Sequence, residues 1–236
     1  MSKISIKNLK NSIGKKAKIN GWIYNIRSIG KIWFVIVRDG TGYVQCVVTK
    51  NDVSDKVFEL ENLLTQESSL KIKGTVQADT RSDSGVEILV SDIDIVHIAD
   101  EYPISLKEHG VSFLMDNRHL WLRSKKQFAI MKIRQQLIRS IRNFFDDRDF
   151  VLLDSPIFTA NAVEGTTTLF ETDYFNRSAY LSQSGQLYQE AGAIAFGKTY
   201  CFGPVFRAEK SKTRKHLTEF WMVEPEMAYC DICLLY

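Results

Sequence analysis

The first 38 residues contain no aspartate or glutamate; the first acidic side chain is Asp39. Nine Lys or Arg fall in the same span, so the N-terminal segment is locally basic. The whole chain carries a formal charge of only +3, too little by itself to announce a polyanionic partner. Cysteine is scarce too. Cys46, Cys201, Cys230 and Cys233 are scattered or terminal, which excludes a disulfide framework and fits a reducing, cytoplasmic setting. Cys230-x-x-Cys233 lacks a second pair, and the four His lie far apart, so no zinc site is expected. No run of about 18 apolar residues occurs, so no membrane span is expected. The N-terminus has no apolar segment of the kind a signal peptide carries. No repeat or low-complexity tract is visible. What remains is ordinary globular composition, 44% hydrophobic and 25% charged over 236 residues, room for one large or two small domains.

Taken in order, residues 1–16 read as a short lead-in helix or arm rich in lysine. Residues 17–27 alternate, with Trp22, Tyr24 and Ile26 on one face and Ile19, Ile23 and Arg27 on the other. Residues 32–38 are β-branched and aromatic. Asp39-Gly40-Thr41-Gly42 is a turn, and residues 43–49 alternate again. Val53, Val57, Leu60 and Leu64 have helical spacing, with Asn51, Asp52 or Ser54 available as a cap. Residues 70–76 and 86–98 give two more strands. Three strands, a helix and two strands is the order of an OB-fold. Such barrels bind oligonucleotides on the strand 2–3 face. There Phe34 would supply a stacking ring, Arg27 a phosphate or base contact and Gln45 an amide for base edges. The same residues also fit a plainer reading, with Trp33 and Phe34 in the core and Gln45 solvated.

Residues 101–115 hold Pro103, His109 and Gly110 and few large apolar side chains, and read as a hinge. It separates a barrel over 1–100 from a second domain over 116–236. In that domain Ser124 opens a long helix whose apolar stripe is Ile130, Ile133, Leu137, Ile141 and Phe144. Phe128, Met131, Ile138 and Phe145 widen it, a width that predicts burial against more than one element. A strand over 150–154 stops at Ser155-Pro156, since proline cannot donate to a ladder. Residues 157–168 are small and polar, a loop composition. A helix begins at Gln186 and ends at Gly197, and its start, with Ser184 beside it, favours a carboxylate or phosphate.

Residues 199–229 read as two strands joined by a basic loop holding Lys210, Lys212, Arg214, Lys215 and His216. The strand period puts Arg207 with Glu209, and Phe220, Met222, Glu224 and Glu226, on shared faces. A guanidinium, carboxylates and an aromatic ring together suit a nucleotide. They also suit a hairpin with one internal ion pair.

The string FRAE, a loop ending RKHLTEF, then EPEMA resembles motif 2 of class II aminoacyl-tRNA synthetases of the aspartyl/asparaginyl/lysyl subgroup. The resemblance implies that Arg207, the catalytic residue, contacts the ATP α-phosphate and the amino-acid carboxylate. It implies that Glu209 faces the adenine end, Phe220 stacks on the adenine, and Lys215, His216 and Leu217 border the nucleotide. GWIYNIRSIGKIWFVIVRDGTGYVQ is similar to the subgroup's anticodon-binding barrel. Residues matching Phe34 and Gln45 there meet the central uridine of a GUC or GUU anticodon, with Arg27 nearby and Glu87 facing the first anticodon base. The long helix, short strand and proline look like motif 1, which implies a homodimer. VEG and its threonines resemble a substrate-closing loop, with Glu164 near the α-ammonium group. SGQL resembles the asparaginyl amino-acid pocket, implying roles for Ser184, Gln186, Gln189 and Glu224; aspartyl members carry proline at the position of Gly185.

The fold this implies is α+β, an OB barrel followed by the N-terminal part of a class II catalytic domain. The implied function is ATP-dependent attachment of asparagine to tRNA(Asn) through an aminoacyl-adenylate. An aspartyl or nondiscriminating enzyme, or a noncatalytic RNA-binding barrel, are the alternatives. Motif 3 and the acidic Mg²⁺ ligands are expected in a segment beyond residue 236. Residues 230–236, CDICLLY, depart from the family's acidic continuation, so a fragment or a shift of frame near residue 230 is expected.

Overall fold

A computed structural model describes residues 3–160, 168–210, 213 and 216–231. The chain divides into two compact units, Met1–Trp121 and Leu122–Tyr236.

The first unit is the expected barrel. Its strands are β1 (Lys16–Ile29), β2 (Ile32–Arg38), β3 (Tyr43–Thr49), β4 (Ser69–Ala78) and β5 (Val86–His97). They close in the order β1-β2-β3-β5-β4. Alternation along each strand puts Ile19, Ile23, Trp33, Val35, Val37, Val44, Cys46, Ile72 and Ile88 inside, so one pleat face supplies the core. β1 serves two partners. Its first half pairs with β4 and its second half with β2, with a register shift between Ile23 and Asn25. The bulge lets one long strand bend round the barrel, and it breaks the expected alternation of residues 17–27: Trp22 faces outward, whereas Ile26 packs against the core and Arg27 joins the outer face. β3 and β5 pair in parallel, Gln45 opposite Glu87.

The expected helix after β3 is short: α1 (Asp55–Phe58) followed by a 3₁₀ turn over Glu59–Asn62. Ser54 caps it, its hydroxyl accepting from the Val57 N–H at 3.4 Å. Val57 and Leu64 still reach the core. The segment after β5 is tied back to the barrel. Thr65 Oγ1 donates to the Ala99 carbonyl at 2.7 Å, and Gln66 Nε2 to the Ile104 carbonyl at 3.4 Å. The short helices α2 (Val111–Asp116) and α3 (Arg118–Trp121) follow, and contacts group residues 101–115 with the barrel.

Barrel closure requires a bare backbone at Gly74, where the β4–β5 register shifts. A Cβ there would lie 2.2 Å from the Leu89 carbonyl oxygen and 2.6 Å from Ile88 Cγ2. Gly74→Ala is therefore expected to destabilise the barrel by roughly 1–3 kcal/mol, the cost of overpacking. Urea unfolding should show a lower midpoint at unchanged slope.

The second unit opens with α4 (Lys125–Asp146), capped by Ser124, whose hydroxyl accepts from the Gln127 N–H at 3.3 Å. The described part of the unit holds two small sheets. β6 (Val151–Leu152), β10 (Lys198–Phe206) and β11 (Glu219–Met227) form one, in the order β11-β10-β6. β7 (Phe158–Thr159), β8 (Glu171–Tyr174) and β9 (Arg177–Leu181) form the other, in the order β7-β9-β8. α5 (Gln186–Phe196) stops at Gly197, where φ is +80°. α4 meets one face of β10–β11. The Phe145 ring stacks on Tyr200 at 4.6 Å, and Tyr200 OH donates to Asp146 Oδ1 at 2.9 Å. Arg134 lies over Trp221 at 5.1 Å. The wide stripe of α4 departs from expectation, because the helix fully buries none of its residues. Ile130, Met131, Ile133, Leu137 and Phe144 are exposed.

Candidate active site and nucleic-acid face

The antiparallel register of β10 and β11 sets Cys201 opposite Glu224 and Val205 opposite Phe220. Cross-strand partners share a face, so Cys201, Val205, Phe220, Met222 and Glu224 line one side of the hairpin. Arg207 follows at the end of β10. Its N–H donates to the Thr218 carbonyl at 2.9 Å, and its guanidinium lies 5.6 Å from the Phe220 ring centre.

Glu224 is held at several points. One carboxylate oxygen accepts from the Ser184 hydroxyl, and the other from the Gly185 N–H at 2.9 Å. Cys201 Sγ lies 3.4 Å from that second oxygen. Ser184 Oγ also accepts from the Gln186 N–H at 3.0 Å, at the start of α5. Each of these donors is a neutral group. Burial, followed by the charge of Glu224, pushes the Cys201 thiol up to about 12. Cys201 is thus an inert thiol here and not a nucleophile. Gly185 must be glycine for reasons of space. A Cβ would lie 2.5 Å from both Cys201 Sγ and Ser155 Oγ, and 3.3 Å from Glu224 Oε2. A cavity of about 260 Å³ opens beside this cluster, with Ser155, Ser182, Gly185, Cys201, Val205 and Glu224 in its wall.

The other expected residues of this site fall differently. Gln189 is fully buried, its Nε2 donating to the Leu153 carbonyl at 2.7 Å. Gln186 is exposed, and its Nε2 donates to Glu190 Oε1 at 3.0 Å. Glu209 and Leu217 are exposed, and His216 Nδ1 is bonded to Thr213 Oγ1. Glu164 and Lys215 lie outside the described residues. Among the described residues no group of three or more His, Cys, Asp or Glu side chains could hold a metal ion. No helix among them is long and apolar enough to cross a membrane.

On the barrel, Arg27, Phe34, Gln45 and Glu87 form one connected group. Arg27 lies over the Phe34 ring at 4.8 Å, and its Nη2 donates to Gln45 Oε1 at 3.0 Å. Gln45 Nε2 in turn donates to Glu87 Oε2 at 3.3 Å. Phe34 points outward while its neighbour Trp33 is fully buried, which separates the two aromatic residues by pleat.

Residues 17–96 match a family model described as an OB-fold nucleic acid binding domain. Residues 110–233 match one described as tRNA synthetases class II (D, K and N). The chain belongs to the class II tRNA synthetases of this D, K and N group. The asparagine–tRNA ligase of Pelotomaculum thermopropionicum is 58% identical over 231 residues, 98% of this chain and 54% of that protein. The ligase of the same name from Sorangium cellulosum is 56% identical over 230 residues, 97% of this chain and 52% of that protein. Asparaginyl-tRNA synthetase from Pyrococcus horikoshii, solved with asparaginyl-adenylate, superposes with a TM-score of 0.92 at 39% identity. That match covers 100% of this chain and 55% of the other. The chain spans about half the length of the curated relatives it matches.

Two features of this cluster are not evident from the motifs. One is Cys201, which the motif strings leave out; the period of β10 puts it on the face of Val205, but nothing in the sequence pairs it with Glu224. The other is the Gly185 N–H, a backbone donor that no side-chain pattern announces.

Proposed function

We propose that the protein to which this sequence belongs joins asparagine to tRNA(Asn) through an asparaginyl-adenylate, using ATP. The observation that carries the proposal is Glu224, fixed by Ser184 and Gly185 on the hairpin face that ends in Arg207 and Phe220. Activation brings two anions together, the amino-acid carboxylate and the ATP α-phosphate. Arg207 would bridge them and lower their repulsion, while Phe220 stacks the adenine. No general base is required, because the carboxylate is itself the nucleophile. The fixed carboxylate of Glu224 would accept from the asparagine side-chain amide and repel the carboxylate of aspartate. Mg²⁺ neutralises phosphate charge in this chemistry; the described residues offer no cluster for it, and no step here is routed through it.

On the barrel, Phe34 would stack the central anticodon base and Gln45 and Glu87 would read base edges. The exposed apolar side of α4 fits the homodimer that the motif 1 resemblance implies. The protein would act in the cytoplasm.

The test uses this chain continued by the matching remainder of the Pelotomaculum thermopropionicum relative, called here the continued protein. It should support asparagine-dependent pyrophosphate–ATP exchange far better than aspartate-dependent exchange. Equal exchange with both amino acids would make it a nondiscriminating aspartyl enzyme. Exchange with neither, alongside intact RNA binding, would leave an RNA-binding module.

A further inference from the structure

The outward face of the barrel extends beyond Arg27, Phe34, Gln45 and Glu87. Strand register sets Trp22 opposite Arg38, and Arg38 opposite Tyr43. That row lies four residues along β2 from Phe34, about 13 Å at roughly 3.3 Å per residue. Both rows point away from the core, because the residues between them alternate inward and outward.

Trp22 is 44% exposed, while Trp33 on the inner face is fully buried. The exposed ring is nevertheless fixed. The Arg38 guanidinium lies 5.1 Å from its centre. Arg38 is itself paired to Glu67, whose side chain is only 5% exposed. One side of the indole is thus covered by a clamped cation, a geometry that orients the ring. Tyr43, next in the row, meets Tyr24 edge to face at 5.2 Å and 82°. The result is a small aromatic platform at the end of the face, with the indole as its bare member.

Exposing and orienting a large aromatic ring has an evident use on a nucleic-acid-binding barrel, which is base stacking. The geometry points to Trp22 as a stacking site for an unpaired RNA base flanking those read by Phe34 and Gln45. This subsite rests on the RNA-binding reading of the barrel. One OB-fold engages about 4–16 nucleotides, more than the row at Phe34 can hold alone. The contact Trp22 makes is to a base and not to a phosphate, since an indole ring carries no charge.

The test titrates the 236-residue chain with two labelled RNAs, read by fluorescence anisotropy. One is a GUU trinucleotide; the other is a hairpin carrying GUU in its loop. Phe34→Ala is expected to weaken both by roughly tenfold or more, since stacking one base is worth about 1–3 kcal/mol. Trp22→Ala is expected to weaken the hairpin by roughly the same factor and leave the trinucleotide unchanged. Trp22→Phe should keep most of the hairpin affinity. The slope of affinity against salt should not change with Trp22→Ala, because no phosphate contact is lost. If Phe34→Ala weakens both RNAs and Trp22→Ala neither, the subsite is wrong and the RNA face stands. If neither substitution matters, the RNA face itself is wrong. Equal loss in Trp22→Phe and Trp22→Ala, or equal loss on both RNAs, would show that Trp22 supports the barrel and does not stack a base.

Discussion

Asparagine activation by the continued protein is expected to fall by roughly 10- to 150-fold when Glu224 is replaced by glutamine. That is the worth of one hydrogen bond to a charged group, about 1.5–3 kcal/mol. Asparagine and aspartate are near-isosteric, so a pocket that separates them must read charge and hydrogen bonding. A site that hydrogen-bonds its substrate can reject an analogue lacking the donor by about 10⁴-fold. Glu224 has the geometry for this role because its carboxylate is already oriented by the Ser184 hydroxyl and the Gly185 N–H. Glutamine retains the shape but brings only one accepting oxygen. The Gly185 N–H can only donate, so it claims that oxygen and leaves the amide N–H₂, a pure donor, in place of the accepting oxygen beside Ser184 Oγ. Donor then meets donor at the asparagine amide, while the carboxylate of aspartate is no longer repelled. The preference should therefore shrink mainly through a lower kcat/KM for asparagine. Steady-state exchange with each amino acid measures it. An unchanged preference would remove Glu224 from substrate selection.

Gly185→Ala should cost about 10²-fold in asparagine activation, the scale of an error of about 1 Å in placing a reacting group. The methyl group would enter at 2.5 Å from Cys201 Sγ and from Ser155 Oγ. Neither is the tip of a long flexible side chain, so the backbone must move and take its N–H away from Glu224. Cys201→Ala removes one of the two clashes. The double substitution Gly185→Ala with Cys201→Ala is expected to recover part of the lost activity, a positive coupling between neighbours. Binding of hairpin RNA by the barrel should not change in any of the three variants. Additive losses in the double variant would mean that the space beside Gly185 does not govern Glu224.

The barrel was legible in the sequence because it is built from local alternation. Phe34 and Gln45 sit on the outer face, and Trp33 and Cys46 on the inner, as a period of two requires; along β1 the bulge after Ile23 defeats that period, so Trp22 and Ile26 lie on opposite faces. The hairpin was legible for the same reason, which is why Arg207, Phe220 and Glu224 could be named together. The helix after β3 was legible only in part. Its apolar spacing matched a longer helix, but so short a segment gains little from propagation, and after one α-turn it tightens into a 3₁₀ turn over Glu59–Asn62. The apolar stripe of α4 forms as its spacing predicts, but this chain alone fully buries none of its residues. Periodicity reports that a face is apolar, not what covers it.

By itself, then, the sequence determined which residues share a face wherever no bulge intervenes, where the strands turn, and which motifs mark a class II synthetase. Tertiary structure alone decided which faces meet. Glu87 reaches Gln45 across 42 residues because β3 and β5 pair in parallel to close the barrel. Ser184 and Gly185 reach Glu224 across 40 and 39 residues because the start of α5 lies against β11. Cys201 joins them through the register of β10 on β11. Side-chain alternation is a property of each strand's own backbone and is written locally. The choice of neighbouring strand and its register depends on burying all the faces at once, a condition that no short stretch of sequence carries.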